Sequence, residues 1–454
     1  MLAGWVLGVL LSGSLQLQVA EVLGSGGPVF DAGALLVTLL VVEALVVVAT
    51  VLPAWRAGRV PTTVALAPVP PTRGHRSRLA AAGERIGLGP VATAGLRDAF
   101  ARPARAMLTA LALAVAVVAI VVTSGFNRTI DGVFATPAMT GDPEQVRVFP
   151  ADSSSPETVL RALAASPGVA SWFTETGFNA VLGREQVLAN AVGADVAHAG
   201  FIVREGRMIQ RRGEAVTGYG FLQRFGLQVG DRITITIDDH PLRLRIVGWY
   251  SEAEEAGEML MFAYADVAAV DAGARPSSYR LRLAEGADRA DVAASLGDAL
   301  GAQARVEAVP LVDTAAVDPF RFAVDLISGL VIVVALANLA STMVLVVRER
   351  ARDLAVLRAV GFTPRQAVAV VAIGGVALAV VATAVGLPVG WVLSNAANNG
   401  VGAEIGMGPG IAVAPSWVLA VLLVPLALAV TAGLAVLAAR RAATEDVAVL
   451  VRYE

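Results

Sequence analysis

Few side chains in this 454-residue sequence are equipped for covalent chemistry, and their spacing gives them nothing to work with. His75, His198 and His240 lie far apart, with no second ligand at metal spacing. No cysteine is present, which removes disulfides, thiolate metal sites, iron–sulfur clusters and a cysteine nucleophile. All 35 basic residues are arginine. Without lysine there is no Walker A phosphate loop and no Schiff base. A Gly-x-Ser-x-Gly elbow is also missing. The sequence therefore predicts a non-enzyme that binds no cofactor and no metal.

Three polar features remain that could act through position. Glu43 stands alone inside an apolar run, and an ionisable group within a membrane is a functional candidate by default. Packing against a second unit or subunit explains it equally well. Glu252, Glu254, Glu255 and Glu258 form an acidic loop, expected to be solvated and mobile rather than a cation site. Finally, the segment Arg348–Gln366 alternates charge with leucine and valine and then breaks at Gly361-Phe362-Thr363-Pro364.

The elements that must carry these features are mostly apolar. Hydrophobic residues make up 56% of the chain and charged ones 16%, with a mean hydropathy of +0.68. A soluble protein carries roughly 25% charge. Six runs approach or reach the roughly 20 residues that cross a bilayer: Leu2–Leu17, Ala34–Leu52, Met107–Ser124, Phe322–Val347, Ala367–Leu393 and Trp417–Ala439. The polar stretch Gly125–Phe320 is far too long for a loop and reads as a domain. Arg56–Arg105 holds nine arginines against Glu84 and Asp98, and Arg348–Arg365 five against Glu349 and Asp353. The polar stretch instead has 17 arginines against 26 acids. The positive-inside rule puts the arginine-rich segments in the cytoplasm and the domain outside, with both termini inside. A net charge of −3 argues against nucleic acid as a partner, and no secretory signal is expected.

A repeat runs under this pattern. Gly4-Trp5-Val6-Leu7 recurs as Gly390-Trp391-Val392-Leu393, and Leu52-Pro53-Ala54-Trp55-Arg56-Ala57 parallels Leu437-Ala438-Ala439-Arg440-Arg441-Ala442. Residues 1–67 thus read as the last two helices of a unit whose full copy is 104–450, and the first copy is expected to be partial.

The elbow Arg348–Gln366 is the most informative segment. Leu354, Leu357 and Val360 share one helical face and Arg348 and Arg352 another. Gly361 is suited to a left-handed helix stop. Thr363, Pro364 and Gln366 then supply an N-cap, a proline at the first position and a capping box. Helix, sharp stop and new helix at the membrane face suit transmission of force from a cytoplasmic partner. These residues closely resemble the "RER…RE-I-A-x-LRA-x-G" stretch of the FtsX-like permease family, the membrane subunits of MacB-type and lipoprotein-releasing ABC transporters, with Asp353-Leu354 in place of Glu-Ile. Pro53–Ala57 and Ala439–Ala443 resemble its "P-A-R-R-A" ending, and Leu96–Arg105 its "LR-N-L-x-R-R-P-x-R" lead-in.

The resemblance implies a multi-span α-helical membrane protein of about six helices with an α+β extracytoplasmic domain like the MacB core. The division is 1–67 (partial unit), 68–103 (cytoplasmic linker and interfacial helix), 104–125 (membrane helix), 126–320 (extracytoplasmic domain) and 321–454 (three membrane helices with the coupling helix). It further implies a separate cytoplasmic ATPase, holding ATP and Mg, that docks on Arg348, Glu349, Arg350, Arg352, Asp353, Leu354, Leu357, Arg358, Gly361 and Pro364. Membrane lipids and a second permease copy, in a homodimer or heterodimer, are the other implied partners. An alternative is a signalling scaffold that uses an ATPase to regulate a cell-wall hydrolase.

Within the polar domain, Gln145–Phe149 and Ser277–Leu283 alternate as half-buried strands do. Ser155–Ala165 and Ala287–Leu300 read as helices. Gly218–Gly230 reads as a short helix followed by Gly-Leu-Gln-Val-Gly-Asp. It leads into a hairpin of Ile233–Ile237 and Leu242–Trp249 turning at Asp238-Asp239, and resembles "GLxVGD-x-I-x-I" of the MacB core.

Overall fold

The computed structural model describes residues 89–101, 103–271, 273–310, 318–349, 361 and 363–443, with the isolated positions Val47, Val51 and Trp55. A short helix, α1 (Pro90–Ala99), precedes the long α2 (Pro103–Ala135). The 33 residues of α2 span roughly 50 Å at 1.5 Å per residue. Its Ala106–Ala135 segment is long and apolar enough to cross a membrane, and the helix continues ten residues past the boundary expected at Gly125. Gly125 and Gly132 do not end it because both serve as contact points: added methyl groups would press on Ser394 and Val413.

The α+β domain follows. In chain order it contains β1 (Val146–Pro150), α3 (Pro156–Ala165), β2 (Val169–Leu182), β3 (Glu185–Ala194), β4 (Val203–Gly206) and β5 (Glu214–Gly218). Next come α4 (Tyr219–Phe225), β6 (Arg232–Ile237), β7 (His240–Tyr250), β8 (Met259–Ala263), α5 (Tyr264–Val270), β9 (Ser278–Leu283), α6 (Arg289–Leu300) and β10 (Ala304–Ala308). The sheet runs β10-β1-β9-β2-β3-β8-β5-β7-β4, and β6 pairs with both β2 and β7. Through β6 the strands β2-β3-β8-β5-β7 close into a ring. The pairs β3–β8 and β5–β7 are parallel, and the other pairs antiparallel.

Two cores result. Alternation along β6 and β7 points Ile233, Ile235, Ile237, Leu244 and Ile246 into the ring, where they meet Phe221, Leu260 and Phe262. On the other half, α3 and α6 lay Val159, Leu163, Val292, Leu296 and Leu300 on Val146, Val148, Tyr279 and Leu281. Both helices start as their sequences dictate: Ser155 accepts from Thr158 N–H at 3.3 Å, and Asp288 accepts from Ala290 N–H at 2.8 Å. The β6–β7 hairpin turns on Asp238 and Asp239, with φ of +48° and +65°, the left-handed pair of a two-residue turn.

The chain then forms α7 (Asp318–Glu349), α8 (Pro364–Glu404) and α9 (Trp417–Ala443). Arg321–Thr342 and Arg365–Glu404 are long and apolar enough to span a membrane, so the described residues hold three such helices, and α9 has the shorter apolar core Val421–Leu434. Of the six expected runs, Leu2–Leu17 falls outside the described residues, as does Ala34–Leu52 apart from Val47 and Val51. At 41 residues, α8 is roughly 60 Å long, about twice a ~30 Å bilayer core. It crosses the whole molecule.

Candidate functional site

The features that link the membrane helices to the domain lie along α8, from its inner end outward. At the inner end Gly361 adopts φ +108°, the left-handed stop expected of it. Thr363 caps α8 by accepting from Gln366 N–H at 3.3 Å, while the Gln366 side chain accepts from Thr363 N–H at 2.9 Å. Both halves of the capping box are formed. Of the residues expected to meet an ATPase, Arg348 and Glu349 end α7, Pro364 begins α8, and Gly361 lies between. Arg350, Arg352, Asp353, Leu354, Leu357 and Arg358 lie outside the described residues, as does Glu43. Two to three turns above the cap, α8 rests on α1: a methyl group at Gly95 would press on the Val370 carbonyl and Ile373.

Midway, Gly386 and Gly390 face α2. Added methyls would crowd Val117 and the Ala114 carbonyl from Gly386, and Val121 and Val118 from Gly390. The Gly-x-x-x-Gly step therefore brings the two backbones together, as small residues do in membranes. On its other side α2 meets α7 through a polar ladder at one-turn intervals. Thr123 bonds Ser328, Asn127 Nδ2 donates to Asp325 at 3.0 Å, and Asp131 pairs with Arg321 at 2.8 Å. Asp325 is thus held by a neighbouring helix.

At the outer end α8 reaches the domain. The chain turns at Gly406 (φ +80°), whose carbonyl accepts from Gly220 N–H at 3.2 Å. A methyl group at Gly406 would overlap the Ala256 carbonyl, and one at Gly257 would overlap the Gly406 carbonyl. A methyl group at Gly408 would press on the ring of Trp249 and also crowd that of Tyr219. Met407 and Ile411 bury against Val133 at the end of α2. Thr129 of α2 accepts from Val413 N–H at 2.9 Å, and Asn399 of α8 accepts from Gly410 N–H at 2.8 Å. Domain, α2 and α8 meet there in one joint.

Behind the joint lies a buried charge network. Arg280 of β9 donates to Asp142 at 3.1 Å, to Glu144 at 2.8 Å and to Glu175. Arg147 of β1 donates to the same Asp142 and Glu144, at 2.6 and 2.7 Å. Burial, then the charge of Glu144, pushes Asp142 up to about 6. Burial likewise raises Glu175. The acidic loop is only partly the solvated segment expected. Glu254 and Glu255 are exposed, but Glu252 is 4% exposed and Glu258 pairs with Arg224. Glu252 follows the innermost residues of β7, and the loop must fold inward to reach Gly406. Its spacing carried no signal of this. The histidines make local bonds: His198 with Asp195 at 2.6 Å, and His240 with the Asp238 carbonyl at 2.7 Å. Among the described residues no group of three or more His, Cys, Asp or Glu could hold a metal.

Comparison with known proteins agrees with this two-part build. Residues 106–299 match the MacB-like periplasmic core domain family, and residues 326–447 match the FtsX-like permease C-terminal family. The periplasmic region of MacB from Actinobacillus actinomycetemcomitans is similar at 12% identity with a TM-score of 0.30, covering 36% of this chain and 88% of its own. The extracellular domain of the noncanonic ABC-type transporter YknZ from Gram-positive bacteria is similar at 15% identity with a TM-score of 0.26, covering 37% of this chain and 99% of its own. No curated protein matches. Its apolar spanning helices make the chain a membrane protein, in which residues 106–299 are similar to the MacB-like periplasmic core domain and residues 326–447 to the FtsX-like permease C-terminal domain.

Proposed function

We propose that this chain is the permease subunit of an ABC-type transporter, driven by a separate ATPase that docks at the α7–α8 elbow. The observation that carries the reading is α8 itself. One helix runs from a capped stop at the cytoplasmic face to a backbone-on-backbone joint with the extracytoplasmic domain. A shift of its inner end is passed to α1 and α2 through glycine contacts and to the domain through Gly406. ATP is bound by the partner, since a chain with no lysine has no Walker A lysine. The domain's movement would expel a substrate or draw it from the outer leaflet, with no path through the bilayer required. In this reading Arg348, Glu349, Arg350, Arg352, Asp353, Leu354, Leu357, Arg358, Gly361 and Pro364 form the docking surface, and residues 1–67 belong to a second, partial unit.

The test is co-expression with an ATPase encoded beside the gene, followed by purification in nanodiscs. ATP hydrolysis is expected only when the ATPase co-purifies, and Arg350→Glu with Arg358→Glu should lower co-purification at least tenfold. Hydrolysis by the chain alone would overturn the reading.

A further inference from the structure

Glu252 sits where the link after α2 meets the loop that docks on α8. The Tyr250 hydroxyl donates to its Oε2 at 2.8 Å, and the Glu254 N–H donates to its Oε1 at 2.9 Å. One residue on, Ala253 N–H donates to the Thr140 carbonyl at 3.1 Å. The carboxyl packs on Gly141, where any Cβ would overlap it, and its own Cβ lies near Gly218. Its bonds therefore fix the start of the loop whose Ala256 and Gly257 grip Gly406. Those contacts hold a backbone with left-handed φ of +49° at Glu255 and +53° at Ala256, which neither residue favours.

The charges around Glu252 leave it without a cation. Asp142 from the link after α2 and Glu254 on its own loop act on it directly, and Asp142 belongs to the network of Glu144, Arg147 of β1, Glu175 of β2 and Arg280 of β9. Arg147 and Arg280 are both bonded to Asp142 and Glu144, and Arg280 to Glu175 as well. On the docked side, Arg204 of β4 lies against Gly410 and makes no bond to Glu252, Arg224 of α4 is paired with Glu185 and Glu258, and Glu404 at the end of α8 is exposed. Desolvation drives a carboxyl this buried and bonded to no cation towards its neutral form, against the two donors, which favour the charged one.

We propose that Glu252 is a proton-operated latch on the joint: as a neutral acid it keeps the loop seated on Gly406, and loss of its proton releases α8 from the domain. The direction follows from linkage. Burial, which outweighs the two hydrogen bonds and is helped to a smaller extent by the charges of Glu254 and Asp142, pushes Glu252 up to about 8. Once the loop is released and solvated, the carboxyl returns towards its ordinary 4.5. The docked form therefore holds a proton that the released form lacks between about pH 4.5 and 8. Docking is favoured below that window, weakens as pH rises through it, and is weakest above about 8. The latch rests on the reading that the domain moves relative to α8, but it needs no ATPase.

The test uses the full chain in nanodiscs. Because the sequence has no cysteine, Gln223→Cys on α4 and Glu404→Cys on α8, both exposed, place two spin labels across the joint. A short, narrow distance distribution is expected to predominate at pH 6, giving way to a longer, broad one as pH rises towards 8, with no further change above it. Glu252→Gln, a permanent neutral mimic, should keep the short distance up to pH 9.5. A distance constant from pH 6 to 9.5 in the native background, or a Glu252→Gln protein that opens over the same pH range, overturns the proposal. Should Glu252→Gln fail to fold, infrared difference spectra of the native chain decide. The proposal requires a protonated-carboxyl C=O band that vanishes near pH 8, and a chain without such a band at pH 6 refutes it. ATP-free opening would stand even if no ATPase binds, so failure of the latch and failure of the permease reading are distinguishable.

Discussion

Arg280 shows what one side chain does for this domain. Its guanidinium is 16% exposed and contacts three carboxylates from the link after α2 and from β2. Removing one partner from a buried ion cluster leaves charges stranded, which costs about 3–5 kcal/mol. Arg280→Met should therefore lower the thermal midpoint of the full chain by several degrees, followed by tryptophan fluorescence. The loss should shrink at low pH. Asp142 titrates at about 6, so below that value it carries no charge for Arg280 to balance. A deficit equal at pH 5 and pH 8 would show that Arg280 acts through packing alone. The acidic residues were plain in the sequence, but their pairing was not. Asp142 and Arg280 are 138 residues apart and meet through the β1–β9 register.

At the scale of elements, α8 owes its reach to small residues at the right intervals. Gly386 and Gly390 let α2 approach until backbones touch. Gly386→Leu with Gly390→Leu forces those helices apart, and overpacking of this kind costs about 1–3 kcal/mol per site. The double variant should lose monodispersity in detergent at a lower temperature than the native chain. Asn127→Leu, which removes one rung of the α2–α7 ladder, should cost only about 1 kcal/mol, since intramembrane hydrogen bonds average less than that. The reverse ranking, measured by thermal shift, would place the main α2 contact on α7. The elbow was legible because caps are local: Gly361, Thr363 and Gln366 act within one turn. The long hairpin of β2 and β3 was not expected. Its β3 strand is alanine-rich with little strand preference, and pairing with β8 supplies what local preference lacks, whereas β2 carries the valine, threonine and aromatic residues that favour strands.

Over the whole molecule, the α+β domain and the end of α8 meet at a joint made largely of glycine. Gly406→Ala adds a methyl group where the Ala256 carbonyl lies and imposes a positive φ on alanine. Both parts should still fold, so circular dichroism is expected to change little. The Gln223–Glu404 spin-label distance should be long and broad at every pH, in contrast to its pH dependence in the native chain. A native-like distance in Gly406→Ala would show that the domain is held by other contacts. The sequence by itself determined the apolar runs, the arginine-rich segments and the capped elbow. Each follows from local composition or from spacing within a few turns. Only the tertiary structure decided that α2 and α8 outrun the bilayer and that the strands close through β6. It also decided that Glu252 is buried without a cation at the joint. Burial, and the charge state that follows from it, is fixed by residues brought together from distant parts of the chain, and no local pattern encodes it.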